Sequence, residues 1–263
     1  MYRFLFRPKW LLFLASCAAL AALFVSLGFW QLDRLDQRRA MNDRVISARH
    51  SDPVNPGELL STDRTLARRD EFRQVRTVGQ YDADHEYLVR GHTVQDRPGA
   101  FVLTPLVTED GTALLVVRGW VPLSPRGADV APDVPAAPNG TVTVVGRVRP
   151  PEQGRAQETQ VGAFAAIRRI AVSQLAGEVG HPTYLGYIEL VEQTPRVDER
   201  LVSVPEPELT EGPHLSYAVQ WFAFAVLAFV GYGIYARREE QRRREPAEAP
   251  VSPAVVGADS APE

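Results

Sequence analysis

The stretch Pro213-His214-Leu215-Ser216-Tyr217-Ala218-Val219-Gln220-Trp221-Phe222, running on to Tyr235-Ala236-Arg237-Arg238, decides the organisation of the chain. From Leu215 to Ala236 there is no charged residue. A helix of about 20 residues rising about 1.5 Å each crosses a hydrocarbon core of about 30 Å, so this stretch reads as a transmembrane helix over residues 214–236. Its ends differ. His214, Tyr217 and Trp221 crowd the entrance, whereas Arg237, Arg238, Arg242, Arg243 and Arg244 crowd the exit. Positive charge favours the cytoplasmic side, which puts the exit inside and His214 at the outer mouth. His214, Tyr217 and Trp221 recur at helical spacing and share one face.

Working back, Trp10 to Trp30 is a second uncharged run rich in Leu, Ala and Phe, with a Trp at each end. It is longer than the apolar core of a signal peptide and lacks a small-residue cleavage site before Gln31, so a retained anchor over residues 10–30 is expected. Arginines flank it on both sides, and local charge does not orient it. With the second span ending inside, two crossings place residues 1–9 and the C-terminus in the cytoplasm, and the intervening segment outside. Beyond Arg244, residues 245–263 are rich in Pro, Ala and Glu without periodicity. The sequence therefore suggests a disordered cytoplasmic tail over residues 237–263.

Residues 31–213 read as a β-rich (α+β) extracytoplasmic domain between the two transmembrane α-helices. Gln31 to His50 continues the first helix outward. Short runs rich in Val, Leu, Thr and aromatics follow at 72–81, 86–92, 101–107, 113–121, 141–148 and 184–191, bounded by Gly, Pro or Asp. Glu109-Asp110-Gly111 marks a hairpin, and Ile170 to Gly177 has helical spacing. Pro122 to Pro138 is a Pro-rich connection.

The chemistry available is limited. Cys17 is the only cysteine, which excludes an intramolecular disulfide or a dithiol centre. The chain has 263 residues and a formal net charge of -3, and its arginine clusters flank spans instead of forming a separate basic face, so no nucleic-acid partner is indicated. Lys9 is the sole lysine among many arginines, which suggests a GC-rich bacterial genome. No phosphate loop, nucleophile elbow or zinc-spaced histidine pair is present, so an enzyme is not expected. Asp82, Asp84 and Glu86 read as a solvated turn. Arg118-Gly119-Trp120 places a cation beside an aromatic with Gly allowing close approach; it reads either as a barrel corner plugged by Trp120 or as a surface that docks a partner.

These residues together resemble the Surfeit-locus family of cytochrome c oxidase assembly factors. The resemblance is carried by Leu27-Gly28-Phe29-Trp30-Gln31 with Arg34 and Arg38, by the Thr104-Pro105-Leu106 and Arg118-Gly119-Trp120-Val121-Pro122 strands, and by His214-Leu-Ser-Tyr217-Ala-Val-Gln-Trp221-Phe. The chain departs from the family pattern at Arg38, Val117 and Pro213, where Lys, Asn and Asn are usual; Pro213 removes a polar neighbour that could orient His214. The resemblance implies a bacterial plasma-membrane protein that binds haem a and assists its insertion into the core subunit of a haem-copper oxidase, with haem a synthase as a further partner. It implies His214 as ligand to the haem iron, Tyr217 and Trp221 stacking below it, and Arg34 and Arg38 pairing with the propionates. The alternative is a cofactor-free membrane scaffold that holds an oxidase assembly intermediate through Arg118, Gly119 and Trp120.

Overall fold

A computed structural model describes residues 3–127, 129–196 and 198–244. The chain forms two compact units, one from its two ends and the other from residues 39–210. The first unit is an antiparallel helix pair. Helix α1 spans Pro8–Arg49, 42 residues, and carries on past residue 38 into the second unit. Its partner, the last helix of the chain, spans His214–Arg244, 31 residues. Both are long and apolar enough to cross a membrane. Their outward faces carry bare apolar side chains: Leu12 is 70% exposed and Val226 62%, contacts that water does not reward.

Large residues set the register of this pair. Gln31 meets His214, Phe24 stacks on Trp221, Phe13 meets Tyr232 and Trp10 meets Tyr235. Each step along α1 is matched by an equal step back along the last helix, as two straight antiparallel helices require. Gly28 lets them close up: a Cβ there would lie 2.6 Å from the Phe222 ring. At the other end Phe4, Trp10 and Ala236 are buried together, with the Arg243 guanidinium 5.0 Å from the centre of the Phe4 ring. Residues 237–244, assigned to the tail from sequence, are helical. The rest of that tail, 245–263, lies outside the described residues.

The second unit is a mixed β-sheet that closes on itself. A one-turn helix α2 (Pro56–Leu59), capped by Asn55 and Glu58, precedes strands β1 (Gln74–Tyr81), β2 (Tyr87–Val94), β3 (Arg97–Thr108), β4 (Ala113–Pro122) and β5 (Thr141–Arg149). Two short strands, β6 (Thr159–Val161) and β7 (Phe164–Ile167), a single turn α3 (Val172–Leu175), β8 (Thr183–Thr194) and the last helix, α4, complete the order. Strand β1 pairs with both β5 and β3, so β1, β5, β8, β4 and β3 form a ring; β2, β7 and β6 extend from β3 as a flap. Closure removes the exposed edges that an open sheet would offer.

Strand β3 makes this possible because it is long enough to serve two partners. Arg97 to Leu103 pairs with β2, and Leu106 to Thr108 pairs with β1. Thr104-Pro105 falls in the gap between them, where a residue with no N–H to give is tolerated. The core follows the two-residue period of strands. On β4, Leu114 and Val116 join a cluster drawn from all five ring strands, whereas Ala113, Leu115 and Val117 face a second cluster with Ile167, Val172 and Leu175. Burial of both faces explains why this strand reads as an unbroken apolar run. The Pro-rich residues 131 and 134 cover a third cluster with Leu88, Val102 and Val121.

Each of the six runs read from sequence contains a strand. The expected helix at 170–177 reduces to the single turn α3, and β6 and β7 were not anticipated: Thr159-Gln160-Val161 is too short and polar to carry an alternation signal.

Candidate functional site

Two groups of the residues singled out from sequence are brought together by the fold. The first lies on the helix pair. His214 is the first residue of α4 and is part-buried; its Nδ1 is 2.8 Å from Gln31 Oε1. A carbonyl oxygen accepts, so Nδ1 carries the proton and donates, which leaves the Nε2 lone pair as the electron donor of the ring. Gly212 sits beside that nitrogen with φ +67°, and a Cβ there would stand 3.5 Å from Nε2. The glycine satisfies the left-handed backbone, and a Cβ there would stand in ordinary contact with the ring.

An imidazole tied at Nδ1 and open at Nε2 is the arrangement metal-binding histidines use, because the hydrogen bond fixes the tautomer and the ring plane. The chemistry of this donor fits a single axial bond to a haem iron. Sequence analysis found no orienting group, and noted that Pro213 removes the neighbour that would serve. Gln31 on the other helix serves instead. It was quoted only as part of a motif, and nothing in the linear sequence links it to a residue so far away.

The remaining residues are placed as follows. Trp221 does not stand free below the histidine; its ring stacks on Phe24 at 5.7 Å and 25°, with Phe224 edge-on at 5.9 Å. Tyr217 is 46% exposed on the outward surface of α4. Arg34 lies over the Trp30 ring at 5.6 Å and donates from Nη1 to Gln37 Oε1 at 2.8 Å, while Arg38 extends from the exposed surface of the same helix. Arg34 and Arg38 follow Gln31 three and seven residues on along α1, and both are exposed.

The second group is in the β unit. Trp120 is fully buried and Arg118 is 4% exposed, the burial that the barrel-corner reading expects. Arg118 Nη1 donates to Glu86 Oε2 at 2.7 Å, Nη2 donates to the carbonyls of Pro135 and Ala136, and the guanidinium lies 5.4 Å from the Tyr81 ring. Thr104 donates to the same Glu86 oxygen at 2.7 Å. Burial in this nest pushes the Tyr81 hydroxyl up from its ordinary range. Glu86 is therefore no part of a solvated turn: it is the counter-ion of a buried arginine that pins the Pro-rich connection to the barrel. Asp82 does form a turn, capping residues 83–85 and accepting from His85 Nδ1 at 2.7 Å. Trp120 Nε1 donates to the His92 carbonyl at 3.2 Å, and Gly119 is held against Leu201 and Val202, where a Cβ would approach to 3.0 Å. Among the described residues, no group of three or more His, Cys, Asp or Glu side chains is arranged to hold a metal ion.

The model of the SURF1 family matches residues 18–226, which takes in the whole β unit and the parts of α1 and α4 that adjoin it. An uncharacterized SURF1-like protein of Mycobacterium bovis is 32% identical over 251 residues, covering 94% of this chain and 91% of its own length. A SURF1-like protein of Mycobacterium tuberculosis matches to the same extent, and one of Rickettsia conorii is 23% identical over 82% of this chain and 88% of its own. Matched over most of its length by the family model, and almost end to end by the mycobacterial relatives, this chain belongs to the SURF1 family.

Proposed function

We propose that this protein is a two-span plasma-membrane assembly factor for a haem-copper terminal oxidase, which takes haem a as cargo and presents it to the oxidase core subunit. The observation that carries the reading is the His214 imidazole, tied by Gln31 through Nδ1 with the Nε2 lone pair left as donor. When bound, haem a would supply an iron that one such nitrogen could ligate, an apolar tail suited to lipid and propionates suited to the interface. The residues of this chain then have distinct tasks. His214 binds, Gln31 holds its ring plane, and Arg34 and Arg38 offer charge-assisted hydrogen bonds to carboxylates above the span. The charge-free stretches of α1 and α4 lie in lipid, with both termini cytoplasmic and residues 31–213 outside.

The test is the visible spectrum of the detergent-purified protein from cells that also make haem a, compared with His214→Ala. A haem a spectrum in the wild type that is lost in the variant supports the reading. Wild-type protein that carries no haem, under conditions in which another haem a protein retains it, overturns the cofactor part and leaves a cofactor-free scaffold. Normal oxidase spectra in a strain lacking this protein overturn the assembly role itself.

A further inference from the structure

The flap of the β unit carries a cleft of about 260 Å³ whose lining includes Arg90, His92, Thr93, Gly99, Leu123 and Arg168. Its position follows from strand pairing. Strands β2 and β7 run parallel with Val89 opposite Ile167, so the next residues along are Arg90 on β2 and Arg168 just past the end of β7. Like charges placed side by side on adjacent strands repel. Among the described residues neither guanidinium makes an ion pair. The acid that acts on His92 is Glu152, whose carboxylate accepts the Ile170 N–H at 3.0 Å and is not part of the cleft lining. Two cations and an imidazole are thus gathered in a concave site that the chain does not neutralise.

The floor of the cleft is rigid. Strand β2 bulges between Arg90 and His92, with Gly91 at φ +91°, and the bulge re-aims the residues on either side of it. The His92 ring lies on Phe101 with centroids 4.3 Å apart, and its carbonyl is held by Trp120 Nε1. Gly99 lies so close to Trp120 that a Cβ there would come within 2.3 Å of the indole. The buried Arg-Gly-Trp strand is the support on which this cleft is built.

We infer that the cleft is a binding site for a small oxyanion, a phosphate or carboxylate group held between Arg90 and Arg168, with His92 at its side. The planar guanidinium fork matches both groups, and pairing removes the repulsion between the two arginines. This assignment is independent of any haem at His214. The anion is either a free solute or the headgroup of an anionic lipid, and the test separates the two.

Full-length protein in a non-ionic detergent is titrated calorimetrically with inorganic phosphate and with citrate, and is examined by native mass spectrometry after purification from phosphatidylglycerol-containing membranes. Saturable binding that weakens with added salt is expected. Arg90→Gln and Arg168→Gln are each expected to lower the affinity by about tenfold, the size of one lost charge-assisted contact, whereas Arg64→Gln, at an exposed arginine outside the cleft lining, leaves it unchanged. Both arginines are removed without emptying a core, and circular dichroism melts verify that the variants remain folded. Binding of phosphate or citrate identifies a soluble anion; retained phosphatidylglycerol, lost in Arg168→Gln with no binding of the free anions, identifies a headgroup. Absence of all three, or equal binding by the folded arginine variants and the wild type, overturns the site.

Discussion

In the proposed haem-binding role of His214, one amide fixes which ring nitrogen is free to act as a ligand. Gln31→Leu removes the acceptor for Nδ1 and leaves the ring free to rotate and to exchange tautomers. Loss of such an orienting partner lowers affinity at metal sites by about 10–100-fold. Haem a content of the purified variant, read from its visible spectrum, is expected to fall by that order, while Gln31→Glu, which still accepts, retains it. Wild-type content in Gln31→Leu would show that the hydrogen bond is incidental. Gly212 makes a second, independent check. With φ +67° two residues before the donor ring, Gly212→Val strains the backbone that positions it. It is expected to lose haem with His214 and Gln31 intact. This residue-scale arrangement was only half legible: His214 stands out because an ionisable ring beside an uncharged span is unusual, but Gln31 is an ordinary polar residue until the two helices are seen to meet.

Single elements explain why some readings from sequence held and others failed. The runs on β1, β4, β5 and β8 were legible because each joins a core and has either an alternating or a continuously apolar pattern. Strands β6 and β7 were not, because such short segments take their structure from pairing, β7 with β2 and β6 with β7, and not from their own composition. Glu86 was misread for the same reason, since the cation that buries it lies on another strand. That pair can be examined as a unit. With side-chain exposures of 2% and 9%, the Arg118–Glu86 bridge is deep enough that removing one partner strands a buried charge, at a cost of about 3–5 kcal/mol. Arg118→Met and Glu86→Gln are each expected to lower the thermal midpoint sharply, and the double variant is expected to be clearly less destabilised than their sum. Strict additivity would mean the bridge contributes nothing as a pair. Trp120→Ala, which empties a fully buried indole site, is expected to cost about 3–5 kcal/mol whatever happens at the helix pair. The helices permit a matching test of register. In a Cys17→Ser background, Phe24→Cys with Trp221→Cys should be bridged by a short bifunctional thiol reagent, whereas Phe24→Cys with Val219→Cys, 61% exposed on the outward surface, should not.

The whole chain is arranged so that one β unit interrupts a helix pair whose members come from opposite ends of the sequence. Its exit toward α4 is tied down: Val202 bridges Trp120, Arg147 donates to the carbonyls of Val204 and Pro205 at 3.3 Å, and Arg49 at the end of α1 pairs with Glu206 at 2.5 Å. These ties hold residues 202–206 within the compact unit 39–210. If α1 and α4 both cross the bilayer, that body must lie wholly on one side and both chain ends on the other, because two antiparallel crossings return the chain to its starting face. On the proposed two-span arrangement, the arginines after Ala236 predict that the far side is the cytoplasm. Alkaline phosphatase, active only outside, is therefore expected to be active when inserted between Asn139 and Gly140, an exposed connection that tolerates insertion, and inactive when fused after Arg244. Green fluorescent protein exported through the general secretory route, which is dark outside, should give the reverse pattern at the same two positions. Phosphatase activity at the C-terminal fusion would invert the topology and put His214 at the inner surface. Activity at neither position, with the proteins intact in the membrane fraction, would mean that the β unit is cytoplasmic and would remove the outer-surface site from the proposed function altogether.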